Sequence, residues 1–177
     1  MGEIILKTQK GTVKISERIL ILILFFIIGI IAGAVNVSAD GFDIKSYDVN
    51  ADVQKDGNVW LTQKIKYDFD GSFHGVYYNQ DIKGISGVSN VSVETIEDGN
   101  VEKIPLSVKK SNNTFSQIQS ANQLKLKVYH SVANKEVTFV YHYLLHGVVK
   151  NYKDTAELNW KIIGAHWDVA LNNVKIK

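Results

Sequence analysis

The chain has 177 residues, 20 basic and 18 acidic side chains, five histidines and no cysteine. Without cysteine there are no disulfides and no thiolate metal sites, so any domain formed must be held by its core. Near-neutral charge excludes the basic footprint that a phosphate backbone requires, and with it nucleic acid as an expected partner.

The first segment reads as a leader. Lys7, Lys10, Lys14 and Arg18 precede an apolar run from Ile19 to Val35, which closes on "VNVSAD" with Val37 and Ala39 at the small-residue positions of a signal-peptidase site. Residues 1–39 are therefore expected to be a signal peptide cleaved after Ala39, with its apolar segment helical. An uncleaved anchor is the alternative, since roughly 17–25 apolar residues span a bilayer. Either way the basic flank stays inside and residues 40–177 are delivered to the extracytoplasmic side. The leader's four basic residues and its two acidic ones, Glu3 and Glu17, leave 16 of each sign beyond it. Residues 40–177 are expected to form one domain, because a chain near 150 residues buries about 68–70% of its unfolded surface.

Beyond the leader the dominant period is two. Tyr47, Val49, Ala51 and Val53 alternate with polar residues, as do Val59, Leu61, Gln63, Ile65, Tyr67 and Phe69. That is the pattern of strands with one buried face, and "KDGN" between them is a hairpin turn. "FDGSFHGVYYNQDIKG", Phe69 to Gly84, reads as a flexible glycine loop carrying aromatics. "EDGN" joins Val91–Ile96 to Val101–Val108, where Pro105 marks an edge strand or a bulge. Ser116 to Gln123 is the one stretch past the leader that reads as a short helical turn. Leu124–Val128 and Val137–Leu145 alternate again across "SVANKE", and Thr155–Ile163 and Val169–Lys177 complete the set around "GAHWD". About eight strands at this spacing predict an all-β fold, an immunoglobulin-like β-sandwich, with the hydrophobic leader helix before it.

Three constellations carry possible chemistry. His142 and His146 have zinc-helix spacing, but in a β-branched, aromatic run they stand about 13 Å apart at ~3.3 Å per residue. Zn–N bonds are about 2 Å, so no metal is expected, and no cofactor. Asp154, Glu157 and Asp168, near Trp160, His166 and Trp167, have the composition of a glycosidase cleft. Such a hydrolase needs two carboxyls facing at about 5–5.5 or 6.5–9.5 Å, which spacing does not supply. Alternation points Glu157 to solvent and Leu158, Trp160 and Ile162 inward, with Trp167 plugging the end of the core. Trp60, His74, Tyr77 and Tyr78 could build an aromatic platform for a sugar or peptide; otherwise the tyrosines cap one end of the sandwich. Asn90-Val-Ser and Asn112-Asn-Thr fit the glycan acceptor pattern, to which a bacterial-looking leader gives little weight.

In order, these motifs carry a resemblance. "YDVNADVQKDGNVWLTQKIKYDFDGSFHGVYYNQDI" and "TFVYHYLLHGVVKNYKDTAELNWKIIGAHWDVALNNVKI" resemble the bacterial predicted membrane proteins with domain of unknown function 2207, the YciQ-like family. Asp154, Ala156, Glu157, Leu158, Trp160, Gly164 and Trp167 match its Asp-x-Ala-Glu-Leu-x-Trp stretch; Gly71, Gly75 and Tyr77 match its aromatic loop. Tyr78, Asn79 and Gln80 stand where family loops carry an arginine, which removes any anion contact that arginine makes. The resemblance implies an extracytoplasmic β domain at the N-terminus of a longer membrane protein, whose further helices would follow Lys177. It implies no reaction. The expected function is a non-catalytic domain contacting envelope or membrane-protein partners. A carbohydrate- or peptide-binding module is the alternative, and a hydrolase using Asp154, Glu157 or Asp168 the third reading.

Overall fold

The computed structural model describes residues 4–8, 11–15, 41–164 and 167–177. The predicted apolar helix of Ile19–Val35 and the cleavage site at Ala39 lie outside them. Among the described residues no helix is long and apolar enough to cross a membrane. Strands β1 (Ile4–Thr8) and β2 (Gly11–Ile15) form an antiparallel hairpin in a unit of their own.

The second unit is built from strands. β3 (Gly41–Val53) and β4 (Val59–Asp70) pair antiparallel across the expected "KDGN" turn, and β6 (Gly87–Glu97) and β7 (Asn100–Ile104) across "EDGN". β10 (Glu136–His146) lies between β4 and β6, and β13 (Val174–Ile176) adds to β3 in parallel, giving a six-stranded sheet in the order β13-β3-β4-β10-β6-β7. β5 (Ser72–Asp81), β9 (Gln123–Ala133) and β8 (Thr114–Gln119) form a three-stranded antiparallel sheet. β11 (Val149–Asn151) and β12 (Ala156–Leu158) form a short ribbon.

Alternation places the core where the sequence expects it on the long strands. Val59, Leu61, Gln63, Ile65, Tyr67 and Phe69 of β4 and Val137, Phe139, Tyr141, Tyr143 and Leu145 of β10 are all buried. On β3 a bulge between Ile44 and Ser46 resets the parity, so that Ile44, Tyr47 and Val49 all point inward. The inner faces of the six- and three-stranded sheets contribute to one apolar cluster, in which Tyr78 of β5 stacks on Tyr141 of β10 with ring centroids 4.0 Å apart. Pro105 follows directly on β7, at the edge of its sheet, where no ladder partner needs a donor from it.

Four expectations are corrected. Phe69–Gly84 is not a flexible loop: most of it is β5, whose glycines disguise the period. Ser116–Gln123 is not a helical turn, because β8 pairs with β9 through Gln119. The predicted strand Thr155–Ile163 shrinks to β12, and Leu158 is 41% exposed rather than inward, because the chain leaves the ribbon there. Val169–Lys177 shrinks to β13 after an isolated bridge from Leu171 to Ile44. The second unit therefore has eleven strands, β3 to β13, where about eight are predicted.

A polar network inside the core ties the two sheets to the segment that follows β12. Gln63 and Gln80, both fully buried, face each other, with Gln63 Nε2 donating to Gln80 Oε1 at 3.1 Å. Gln63 Oε1 accepts from the Tyr47 hydroxyl and, at 2.8 Å, from the Tyr78 hydroxyl, which lies 2.7 Å from the Tyr143 hydroxyl. The amides then reach outward: Gln63 Nε2 donates to Ile162 O at 3.1 Å and Gln80 Nε2 to Lys161 O at 3.2 Å. Buried amides are costly unless paired, so this network fixes one path for residues 161–162 over the sheet end. Gly164 lets that path run close to β5, since a Cβ there would stand 2.8 Å from Asn79 O.

Candidate functional site

The path just described delivers Trp167 and Asp168 to a cleft of about 210 Å³. Its floor comes from Phe42 on β3 and Tyr67 and Phe69 on β4, and its other wall from Phe73, Gly75, Val76, Tyr77 and Asn79 on β5. Tyr67 and Phe69 stack at 5.5 Å and 9°, Phe42 meets Phe73 edge-on at 6.1 Å, and Phe69 lies 4.9 Å from Phe73. Trp167 meets Tyr47 edge-on at 5.4 Å, so the core holds the indole at the cleft. β5 is an edge strand, which lets Tyr77 from its outer side and Phe73 and Val76 from its inner side border one opening.

Gly75 makes this possible. β5 has a register shift between Phe73 and Gly75, without which Phe73 and Val76, three residues apart, could not both turn inward. Gly75 has φ +139, and a Cβ there would stand 1.9 Å from Val128 O.

Acidic side chains predominate in and beside the cleft, with the Lys127 ammonium 4.7 Å from the Tyr77 ring centroid as a cation at its border. Asp168 is its only charged lining side chain among the described residues. Beside it, sharing Phe42 and Phe69, an open recess is lined by Asp43, Asp68, Asp70 and Asn134. One lysine answers these three aspartates: Lys45 Nζ lies 2.9 Å from Asp68 and 3.9 Å from Asp43. Hydrogen bonding to Asp68 raises the Lys45 ammonium above its ordinary value. Burial raises the Tyr67 phenol well above its own, so it stays a neutral donor.

The predicted platform is divided. Tyr77 is 67% exposed and borders the cleft. Tyr78, one residue on, points inward and is 1% exposed, because alternation on β5 separates neighbours by face; it is a core residue and not part of a surface. Burial raises its phenol far above the usual value, as it does for Tyr141. Trp60 lies on the outward side of β4, stacked on His142 at 4.6 Å and 6°, and so on a different sheet face from Tyr77. His74 is exposed beside the β5 bulge and does not line the cleft.

The remaining candidates are scattered. His142 Nδ1 lies 2.7 Å from Thr62 Oγ1 and His146 Nε2 2.7 Å from Ser89 Oγ, each on the outer face of β10. Among the described residues no group of three or more His, Asp or Glu side chains could hold a metal ion. Asp154 and Glu157 are exposed at the β11–β12 ribbon, away from the cleft lining, where Glu157 accepts from the Tyr152 hydroxyl at 3.4 Å. His166 lies outside the described residues. Trp160 is half-buried against the core. Sequence reasoning missed Phe42, which precedes the first alternating run, and Phe73, which sits in a stretch that reads as a loop. The acidic recess left a trace in "DFDG", which reads equally well as a turn.

These features define an all-β domain of two sheets around one core with an aromatic cleft at a strand edge. The chain belongs to the family described as predicted membrane protein (DUF2207) N-terminal domain, whose model matches residues 43–177. No curated protein matches it. Among similar solved structures, a "putative protease" from Parabacteroides distasonis is 10% identical over 59% of this chain and 23% of its own, with a TM-score of 0.38. The group B streptococcus pilus 2b backbone protein is 13% identical over 61% of this chain and 44% of its own, with a TM-score of 0.33. The chain thus spans less than half of either protein.

Proposed function

We propose that residues 40–177 form an immunoglobulin-like sandwich on the extracytoplasmic side of a bacterial membrane protein, exported by the leader of residues 1–39, and that this domain contacts a partner without catalysing a reaction. The observation that carries this reading is the aromatic cleft: an opening at a sheet edge lined by rings, with Tyr77 exposed at its border and Trp167 held over it by a buried polar network, suits a contact surface. Membership of a membrane-protein family supports the setting. Binding of a carbohydrate is the second reading, favoured by the exposure of Tyr77 beside Trp167 and Asp168.

Because the chain has no cysteine, a single introduced thiol reports on its own position. Val108→Cys places one at a side chain that is 99% exposed. A membrane-impermeant maleimide is expected to label it in intact cells; labelling only after permeabilisation would refute the extracytoplasmic side. Tyr77→Cys is expected to react at least several-fold more slowly in native membranes than in purified protein. Equal rates in the two would remove the partner contact.

A further inference from the structure

We propose that the cleft receives an arginine or lysine side chain from a basic segment of the partner polypeptide, with Asp168 as counter-ion at the rim and Asp43, Asp68 and Asp70 as an acidic surround. This rests on the cleft being the contact surface, and adds the chemistry of what enters it.

Three observations carry the inference. The cleft walls are aromatic, and the faces of such rings attract cations lying within about 6 Å of their centroids. Tyr77 already does this on one flank, where Lys127 Nζ sits 4.7 Å from its ring centroid and 5.0 Å from that of Tyr129. Next, away from the Lys127 flank the charge is acidic: Asp168 lines the cleft, and Asp43, Asp68 and Asp70 line the adjoining recess, the first two facing Lys45 and Asp70 facing no cation within 4 Å among the described residues. A basic segment crossing that surface is drawn toward it over about a Debye length, some 8–10 Å. Last, about 210 Å³ admits one side chain and not a folded element.

Arginine fits better than lysine. Its planar guanidinium stacks on aromatic faces and offers a carboxylate two parallel donors. A neutral sugar ring would also stack on these walls, but it gains nothing from the acidic recess. The residues with polar side-chain groups lining the cleft are Asp168, Asn79, Tyr67, Tyr77 and Trp167, few for a ring with a hydroxyl on most carbons.

The test uses the purified full chain in detergent, with tryptophan fluorescence and indole N–H resonances as readouts. The probes are an acetylated, amidated Gly-Arg-Gly peptide, its citrulline counterpart, which keeps the shape and lacks the charge, and methyl glucoside. The arginine peptide is expected to saturate the response, and the citrulline peptide to bind at least tenfold more weakly. Asp168→Asn and Tyr77→Ala, both at exposed positions, are expected to weaken arginine binding at least threefold each, and added salt to weaken it further. Equal affinity for the citrulline peptide, no effect of Asp168→Asn, saturation by the glucoside alone, or no saturation by the arginine peptide would each overturn the inference. If the arginine peptide fails while Tyr77→Cys stays shielded in membranes, the contact surface stands and only its cationic occupant falls.

Discussion

Replacing Gln63 by leucine removes the centre of the buried network while keeping the volume close. Two groups then lose the one partner they have among the described residues: the Tyr47 hydroxyl, which donates to Gln63 Oε1, and the Ile162 carbonyl, which accepts from Gln63 Nε2 at 3.1 Å. Tyr78 keeps its contacts to Tyr143 at 2.7 Å and Gln80 at 3.2 Å, so it is not orphaned. A buried polar group left without a partner costs about 1–3 kcal/mol, giving roughly 2–6 kcal/mol for the pair. Burying leucine in place of an amide returns about 1 kcal/mol, so Gln63→Leu is expected to cost roughly 1–5 kcal/mol. Urea unfolding followed by tryptophan fluorescence measures this directly. The decisive comparison repeats Gln63→Leu in a Tyr47→Phe background, where the hydroxyl no longer exists to be stranded. The loss there is expected to be smaller by about 1–3 kcal/mol. An unchanged loss in that background, or a Gln63→Leu cost below about 1 kcal/mol, would refute the account of the network as satisfied hydrogen bonds holding residues 161–162.

Gly75→Ala is expected to destabilise by at least about 3 kcal/mol, because φ +139 and a 1.9 Å approach to Val128 O both forbid a Cβ. Gly84→Ala is the control: φ is +85 but nothing lies within 4 Å, so about 1 kcal/mol is expected, and equal melting-temperature shifts for the two variants would contradict the steric argument. The pH dependence has a defined sign at Glu97. Burial alone would raise its carboxyl, but hydrogen bonds from Lys135 and His130 outweigh that and hold it below the ordinary 4.5. A depressed carboxyl contributes stability that is present above its unfolded value and lost as pH falls through the folded one. Glu97→Gln is therefore expected to be less stable than the parent at neutral pH, with the difference shrinking as pH falls below 4.5 and through the folded carboxyl's depressed value. Parallel stability curves across that range would show that the charge contributes nothing.

How much was legible can be read from particular strands. β4, β9 and β10 keep a period of two through most of their length, and their buried faces follow from it; β3 keeps it only beyond its bulge at Ile44–Ser46. β5 does not, because its bulge at Phe73–Gly75 interrupts the alternation and its glycines imitate a loop. β8 pairs along its whole length with β9 but carries Ser, Gln and Gln in place of β-branched residues, and pairing overrides weak propensity. After Leu158 the error ran the other way. Trp160, Ile162 and Ile163 suggest a strand, yet they pack against the core from an irregular segment in which the Lys161 and Ile162 carbonyls bond to glutamine side chains. Tyr77 and Tyr78, read together as one platform, go to opposite faces once β5 is a strand.

Composition and local period determined what each segment can be, because alternation is a property of neighbours along the chain: all-β, one core, no cysteine chemistry, and family motifs in order. The cleft came only from tertiary structure. Phe42, Phe73 and Trp167 are remote in sequence, and they meet because two sheets close over one another and because Gln63 and Gln80 have to find partners for buried amides across that closure.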